Sequence, residues 1–123
     1  MIVALSIFIT ALISYATDST RCNKDFFAEL LHLIHHFICA VLYLFPLLNR
    51  PHLQLYLVTV IFIGQALNNT SCLIDTVYNS ICGRAGRIND LVTRILKYFS
   101  LTRQQILFVY AVIMLLQFYV YYN

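Results

Sequence analysis

His32 and His36 are four residues apart, the spacing at which two imidazoles on one helical face can bind a single ion. Glu29 lies about one turn before them and Cys39 about one turn after. Imidazole, thiolate and carboxylate are all competent ligands for zinc or another transition metal. A metal site here would rest on His32, His36 and Cys39. With His35 beside them, the same residues could instead give haem an axial ligand. Because histidine titrates near neutrality, they could also relay protons. No HExxH is present: the His32-Leu-Ile-His35-His36 run lacks the glutamate that a zinc protease uses as its base. No nucleophile elbow, P-loop, glycine-rich phosphate fingerprint or kinase motif occurs, so no catalytic constellation argues for an enzyme.

These residues belong to a longer stripe. Asp25, Glu29, His32, His35, His36, Cys39 and Tyr43 are every ionisable residue between Asp25 and Leu48. At about 100° per residue they fall within an arc of roughly 120°. The rest of the stretch is almost entirely Leu, Ile, Phe, Val and Ala, and it exceeds the roughly 20 apolar residues a bilayer crossing needs. Ionisable groups at membrane depth are costly and turn toward protein or a water-filled cavity, which makes the stripe the candidate functional surface. A structural role competes with any ligand. Inward-facing polar residues also hold bundles together, each such bond contributing about a kcal/mol or less.

The elements that must carry the stripe follow from composition. Of 123 residues, 61% are hydrophobic and 11% charged, against roughly half and a quarter in soluble domains. A mean hydropathy of +0.79 points the same way, to one integral membrane domain over residues 1–123. The net charge of +3, with no basic cluster interleaved with aromatics, argues against nucleic-acid binding. Four hydrophobic segments stand out, at about 2–16, 26–48, 53–67 and 105–122. They predict an all-α four-helix membrane bundle with no internal repeat. Nine Tyr and nine Phe, with no Trp, supply interfacial anchors, among them Tyr119, Tyr121 and Tyr122 at the end of the last segment.

If all four segments cross, Arg21, Lys24, Arg84, Arg87, Arg94, Lys97 and Arg103 share one side and only Arg50 lies opposite, in the Asn49-Arg50-Pro51-His52 turn. The positive-inside rule then puts loop 68–103 in the cytoplasm and both termini outside. The alternative is a cleaved signal peptide ending near Ser14-Tyr15-Ala16, with three crossings and the loop outside. Overlapping sequons at Asn68 and Asn69 would face the cytoplasm in the first arrangement and the lumen in the second. Cys72 and Cys82 could pair if that loop is extracytoplasmic.

Residues from about 87 to 100 read as an amphipathic helix, with Ile88, Leu91, Val92, Ile95 and Leu96 on one face and Arg87, Asp90, Arg94 and Lys97 on the other. Such a helix can lie in the headgroup plane, with Arg87, Arg94 and Lys97 on anionic lipid, or pack on the other spans. Thr102 and Gln105 predict a capping box that opens the last span. On the third span Gln65 and Asn68 share a face that could meet the histidine stripe in a polar seam, and Gly64 permits close approach.

From Glu29 onward the layout resembles an uncharacterised family of small bacterial multi-pass membrane proteins. That family carries a His in its first matched span, an Arg-Pro-type turn, a Cys-Pro-Leu-Thr motif after the next span, an amphipathic stretch and a Gly-Leu-Thr-Arg-like approach to the last span. The corresponding residues here are His35, Arg50-Pro51, Cys72-Leu73 and Ser100-Leu101-Thr102-Arg103, in order through most of residues 29–122. The resemblance implies a multi-pass architecture and no activity. The richness in Ile, Asn, Tyr and Phe also resembles coding from an AT-rich genome such as that of a large DNA virus.

The sequence thus predicts a small multi-pass membrane protein, with three functions open. It could be a structural or scaffolding component acting through lipid, copies of itself or other membrane proteins. It could be a metal- or haem-binding redox component, or a conduit for protons or small solutes. The residues in question are Glu29, His32, His35, His36, Cys39, Tyr43, Gln65 and Asn68.

Overall fold

The computed structural model describes residues 1–22, 25–69, 72–84, 88 and 90–123, with Arg103 described by its backbone alone. It is all-α. The helices are α1 (Ile2–Ala16), α2 (Phe26–Leu44), α3 (Pro51–Leu67), α4 (Leu73–Cys82), α5 (Leu91–Tyr98) and α6 (Arg103–Tyr122). No strand occurs among the described residues.

Helix ends fall where side chains can replace missing backbone partners. Asp25 caps α2 by accepting the Ala28 N–H at 2.7 Å. Pro46 ends α2, since it has no N–H for the Leu42 carbonyl, and a 3-10 turn runs from Phe45 to Leu48. Asn49 then takes a left-handed φ of 49°, and Pro51 opens α3 at the position where its fixed φ suits a helix start. The Thr102–Gln105 capping box forms with both halves present, at 3.2 and 2.8 Å. Asp90 caps α5 through the Thr93 N–H at 2.9 Å, so this helix is shorter than the expected 87–100 stretch. Arg87 lies outside the described residues.

Two helical stretches are long and apolar enough to cross a membrane, Phe26–Leu48 and Gln104–Tyr122. The other two apolar helices have 15 and 17 residues. At 1.5 Å per residue these reach about 22 and 26 Å, short of a hydrocarbon core of about 30 Å. Among the described residues, helix length alone therefore supports two crossings.

α1 and α2 form the tightest pair, an antiparallel hairpin in which Ala11 and Ala40 let the backbones approach around Ile7. α4 packs on the first half of α2, with Ala28, Tyr78, Cys82 and Ile88 enclosed between them. A disulfide joins Cys22 to Cys82 and fastens the α1–α2 connection to the end of α4. Cys72 therefore does not pair with Cys82 and stays a free thiol. α3 packs against α6 and also touches α2. Large apolar side chains such as Phe8, Phe37, Phe62, Phe108 and Leu115 stay exposed. The accessible surface is 8164 Å², against about 6,800 Å² for a compact soluble chain of this mass.

Candidate functional site

The three imidazoles of the stripe do lie on one side of α2, and all three are buried. They divide into two ladders of i,i+4 pairs set about 60° apart on the helix. His32 and His36 face the end of α1, while His35 and Cys39 face α4 and α5.

On the first ladder, one oxygen meets two nitrogens. Asp18 Oδ2 lies 2.8 Å from His32 Nε2 and 3.0 Å from His36 Nε2, and the two nitrogens are 3.3 Å apart. All three side chains are fully buried. Two nitrogens held about 2.0–2.1 Å from one ion lie roughly 3.3–3.4 Å apart at a tetrahedral angle, and roughly 2.8–3.0 Å apart at a right angle. The three distances fall within that range. A buried charge without a partner is expensive, so the carboxylate and the two imidazoles depend on one another.

Surrounding groups fix this arrangement. Ser14 Oγ lies 2.7 Å from His36 Nδ1 and accepts the Leu91 N–H at 2.6 Å. Asp18 Oδ1 accepts both the N–H and the hydroxyl of Thr20 at 2.8 Å. Burial pushes the Asp18 carboxyl up, but the Thr20 bonds and His32 outweigh it and hold it below its ordinary value. The Tyr78 ring stacks on His32 at 5.0 Å, and its hydroxyl accepts the Cys22 N–H at 2.8 Å. Tyr15 covers the other side of His32 at 5.3 Å. Among the described residues, His32 Nδ1 is buried without a hydrogen-bond partner.

The second ladder gathers different chemistry. His35 Nδ1 lies 3.3 Å from Asp75 Oδ1 and 3.8 Å from Cys72 Sγ, while its Nε2 lies 3.5 Å from Cys39 Sγ. Burial raises the Cys72 thiol, but the His35 ring and the Asp75 backbone N–H outweigh it and leave it below its ordinary value.

The expected His32, His36 and Cys39 ligand set is corrected by this geometry. Cys39 is drawn to His35, one full turn behind it, and the third group at His32 and His36 is Asp18. Glu29 also stands apart: it binds Arg21 at 3.1 Å and the Tyr15 hydroxyl. Tyr43 lies against Thr93 of α5. Among the described residues, the histidines of the stripe meet α1, the 17–22 connection and α4. Asn68 donates to Thr76 Oγ1 at 2.8 Å. Arg94, expected at lipid headgroups, donates to the Thr17 and Ser14 carbonyls at 2.7 and 2.8 Å and so caps the end of α1. Lys97 remains exposed on the last turn of α5.

Sequence reasoning missed Asp18, Ser14 and Tyr78. Asp75 was legible beside Cys72 at the exit of the third apolar segment, as a possible mouth of the polar seam, though its contact with His35 was not.

Nothing matches this chain among family models, curated proteins or solved structures.

Proposed function

We propose that this chain is a small multi-pass membrane protein that holds a transition-metal ion on Asp18, His32 and His36. One observation carries the proposal: two imidazole nitrogens and one carboxylate oxygen converge within 3.3 Å of one another in a fully buried pocket. Two neutral imidazoles and a carboxylate suit zinc and the borderline first-row ions, and burial favours a tightly held ion over an exchanging one. The cleft beside His36, between Thr10, Ser14, Cys39 and Leu91, has no room for a water molecule, which argues against a conduit through a single chain. Haem fits poorly, because both Nε2 atoms are turned toward Asp18 and Tyr15 and Tyr78 cover the His32 ring.

The test is metal analysis and zinc titration of protein purified in detergent, alongside His32→Asn/His36→Asn. A double variant that binds about one zinc fewer per chain than the wild type is the expected result. Equal metal content in both proteins refutes the proposal.

A structural polar seam is the second reading, favoured because Asp18 and His36 can be satisfied without an ion, although His32 Nδ1 is left without a partner among the described residues. With both imidazoles protonated at Nε2, Asp18 accepts from each, and Ser14 donates to His36 Nδ1. That reading requires the same zinc uptake in the wild type and in the double variant.

The membrane reading rests on the two full-length apolar helices and the large exposed apolar surface. Retention of α1 as a fourth, shorter span is supported by its contribution of Ser14 to His36 and by its tight pairing with α2. Four crossings place the 17–25 and 68–102 connections on one side, where the Cys22–Cys82 disulfide can join them. A disulfide belongs to an oxidising compartment, whereas the charge bias favours the cytoplasm. Three of the cations behind that bias are engaged with protein: Arg21 with Glu29, Arg84 with the Thr20 carbonyl and Arg94 with α1. We therefore place this end on the oxidising side. A membrane-impermeant maleimide applied to intact cells should label Lys97→Cys in a Cys39→Ser/Cys72→Ser background, and labelling only after permeabilisation reverses the orientation. Lys97 and the exposed Tyr98 and Phe99 are then the α5 groups that meet the headgroup layer.

A further inference from the structure

We infer that the chain carries a second metal site, built on His35, Cys72 and Asp75, which takes a zinc-class ion through a thiolate. It uses none of the Asp18 ligands and stands whether or not the first site is occupied. The geometry is that of a ligand set. An imidazole nitrogen and a carboxylate oxygen on one tetrahedral ion lie roughly 3.3–3.4 Å apart, and a nitrogen and a thiolate sulfur roughly 3.6 Å apart. His35 Nδ1 to Asp75 Oδ1 is 3.3 Å and His35 Nδ1 to Cys72 Sγ is 3.8 Å. All three donor atoms lie within 4.8 Å of one another.

Two elements hold the donors independently. His35 projects from the buried face of α2. Cys72 is the N-cap residue of α4 and Asp75 stands in its first turn, so this Cys-x-x-Asp spacing places thiol and carboxylate side by side at the positive end of a helix. The other side of the imidazole is also provided for. A ligating histidine commonly donates its second ring N–H to an acceptor that fixes its orientation. Here Cys39 Sγ sits 3.5 Å from Nε2 and can accept it.

A rival set, His35 Nε2 with Cys39 and Asp90, is less suited. Both Asp90 oxygens cap α5 through short bonds, one from the Thr93 N–H at 2.9 Å and one from its hydroxyl at 2.6 Å, whereas Asp75 Oδ1 accepts the Ile88 N–H at a longer 3.4 Å. Cys39 lies within the apolar length of α2, whereas Cys72 is half-buried at the end of the bundle, where an ion can reach it from water. Three protein donors leave a fourth position for water or another ligand.

Cobalt titration of the full chain in detergent tests the assignment, because a thiolate bound to Co²⁺ adds a near-ultraviolet charge-transfer band that imidazole and carboxylate do not give. The wild type and Cys39→Ser should show the band, and Cys72→Ser should lose it. His32→Asn/His36→Asn should keep the band while binding one fewer Co²⁺ per chain. A wild type without the band, or a Cys72→Ser protein that retains it, overturns the second site. A band lost in Cys39→Ser and kept in Cys72→Ser moves the ion to the rival set and equally overturns it. If the His32/His36 double variant loses no cobalt while the thiolate band behaves as expected, the Asp18 site fails and the second site stands. Helix content by circular dichroism confirms that each variant is folded.

Discussion

Asp18 Oδ2 reaches His36 Nε2 at 3.0 Å although the two residues lie 18 apart in the chain, one just past the end of α1 and the other midway along α2. The contact exists because α1 is shorter than α2. α1 stops at Ala16, and the chain bends inward against the histidines before running back to Phe26. Asp18→Asn tests this join. The amide keeps the shape and loses the charge that two imidazoles share, and hydrogen bonds to charged groups contribute about 1.5–3 kcal/mol each. Metal-free Asp18→Asn should unfold about 2–3 kcal/mol more easily in a detergent unfolding titration. It should also lose zinc at the His32/His36 site. A variant with wild-type stability and zinc content would remove Asp18 from the account.

Ser14→Ala separates orientation from ligation. Ser14 does not touch the ion position but fixes the far nitrogen of the His36 ring. Removing such a support lowers metal affinity by about 10–100-fold. Competitive titration against a chromophoric chelator should show that loss at one site with the number of sites per chain unchanged. If zinc affinity is unchanged, the His36 ring is held by its packing alone.

The two ladders show what the sequence made legible. His32–His36 and His35–Cys39 were visible because a helix repeats every 3.6 residues, and that period places both pairs on the apolar rod's one polar side. Their partners were not visible in the same way. Asp18 reaches the site through a connection without periodicity, and Tyr78 and Asp75 reach it through a helix whose docking is set by a disulfide 60 residues long. Cys39 is within reach of either ladder on a helical projection, about 40° from His35 and about 60° from His36, and only the packing of α4 and α5 against that side shows that it belongs with His35. The Thr102–Gln105 cap was legible, whereas Asp25 and Asp90 read as members of polar faces and prove to cap α2 and α5.

The Cys22–Cys82 disulfide should matter more for stability than for the helices themselves. Closing a loop of 60 residues restricts the unfolded chain by about 4 kcal/mol in the chain-entropy account. It also fastens α4, which brings Tyr78 to His32 and Cys72 to His35. Cys22→Ser/Cys82→Ser should keep its helix content by far-ultraviolet circular dichroism and unfold several kcal/mol earlier. Both metal affinities should fall together. A double variant with unchanged unfolding would mean that packing around Ala28 and Ile88 suffices to hold α4.

Tyr110 answers a defect that Pro46 creates. Proline at 46 leaves the Leu42 carbonyl without its helical donor, and at bilayer depth there is no water to replace it. The Tyr110 hydroxyl donates to Leu42 O at 2.9 Å and accepts the Gln54 amide at 3.1 Å, so one phenol joins α6 to both α2 and α3. Tyr110→Phe strands an acceptor and a donor together and should cost about 1–2 kcal/mol in a detergent unfolding titration. The double-mutant cycle with Pro46→Ala is the sharper measurement. Alanine restores an N–H that can serve Leu42, so the loss caused by Tyr110→Phe should shrink by about 1 kcal/mol in that background. Equal losses in both backgrounds would mean that the phenol serves Gln54 and packing rather than the carbonyl that the proline abandons.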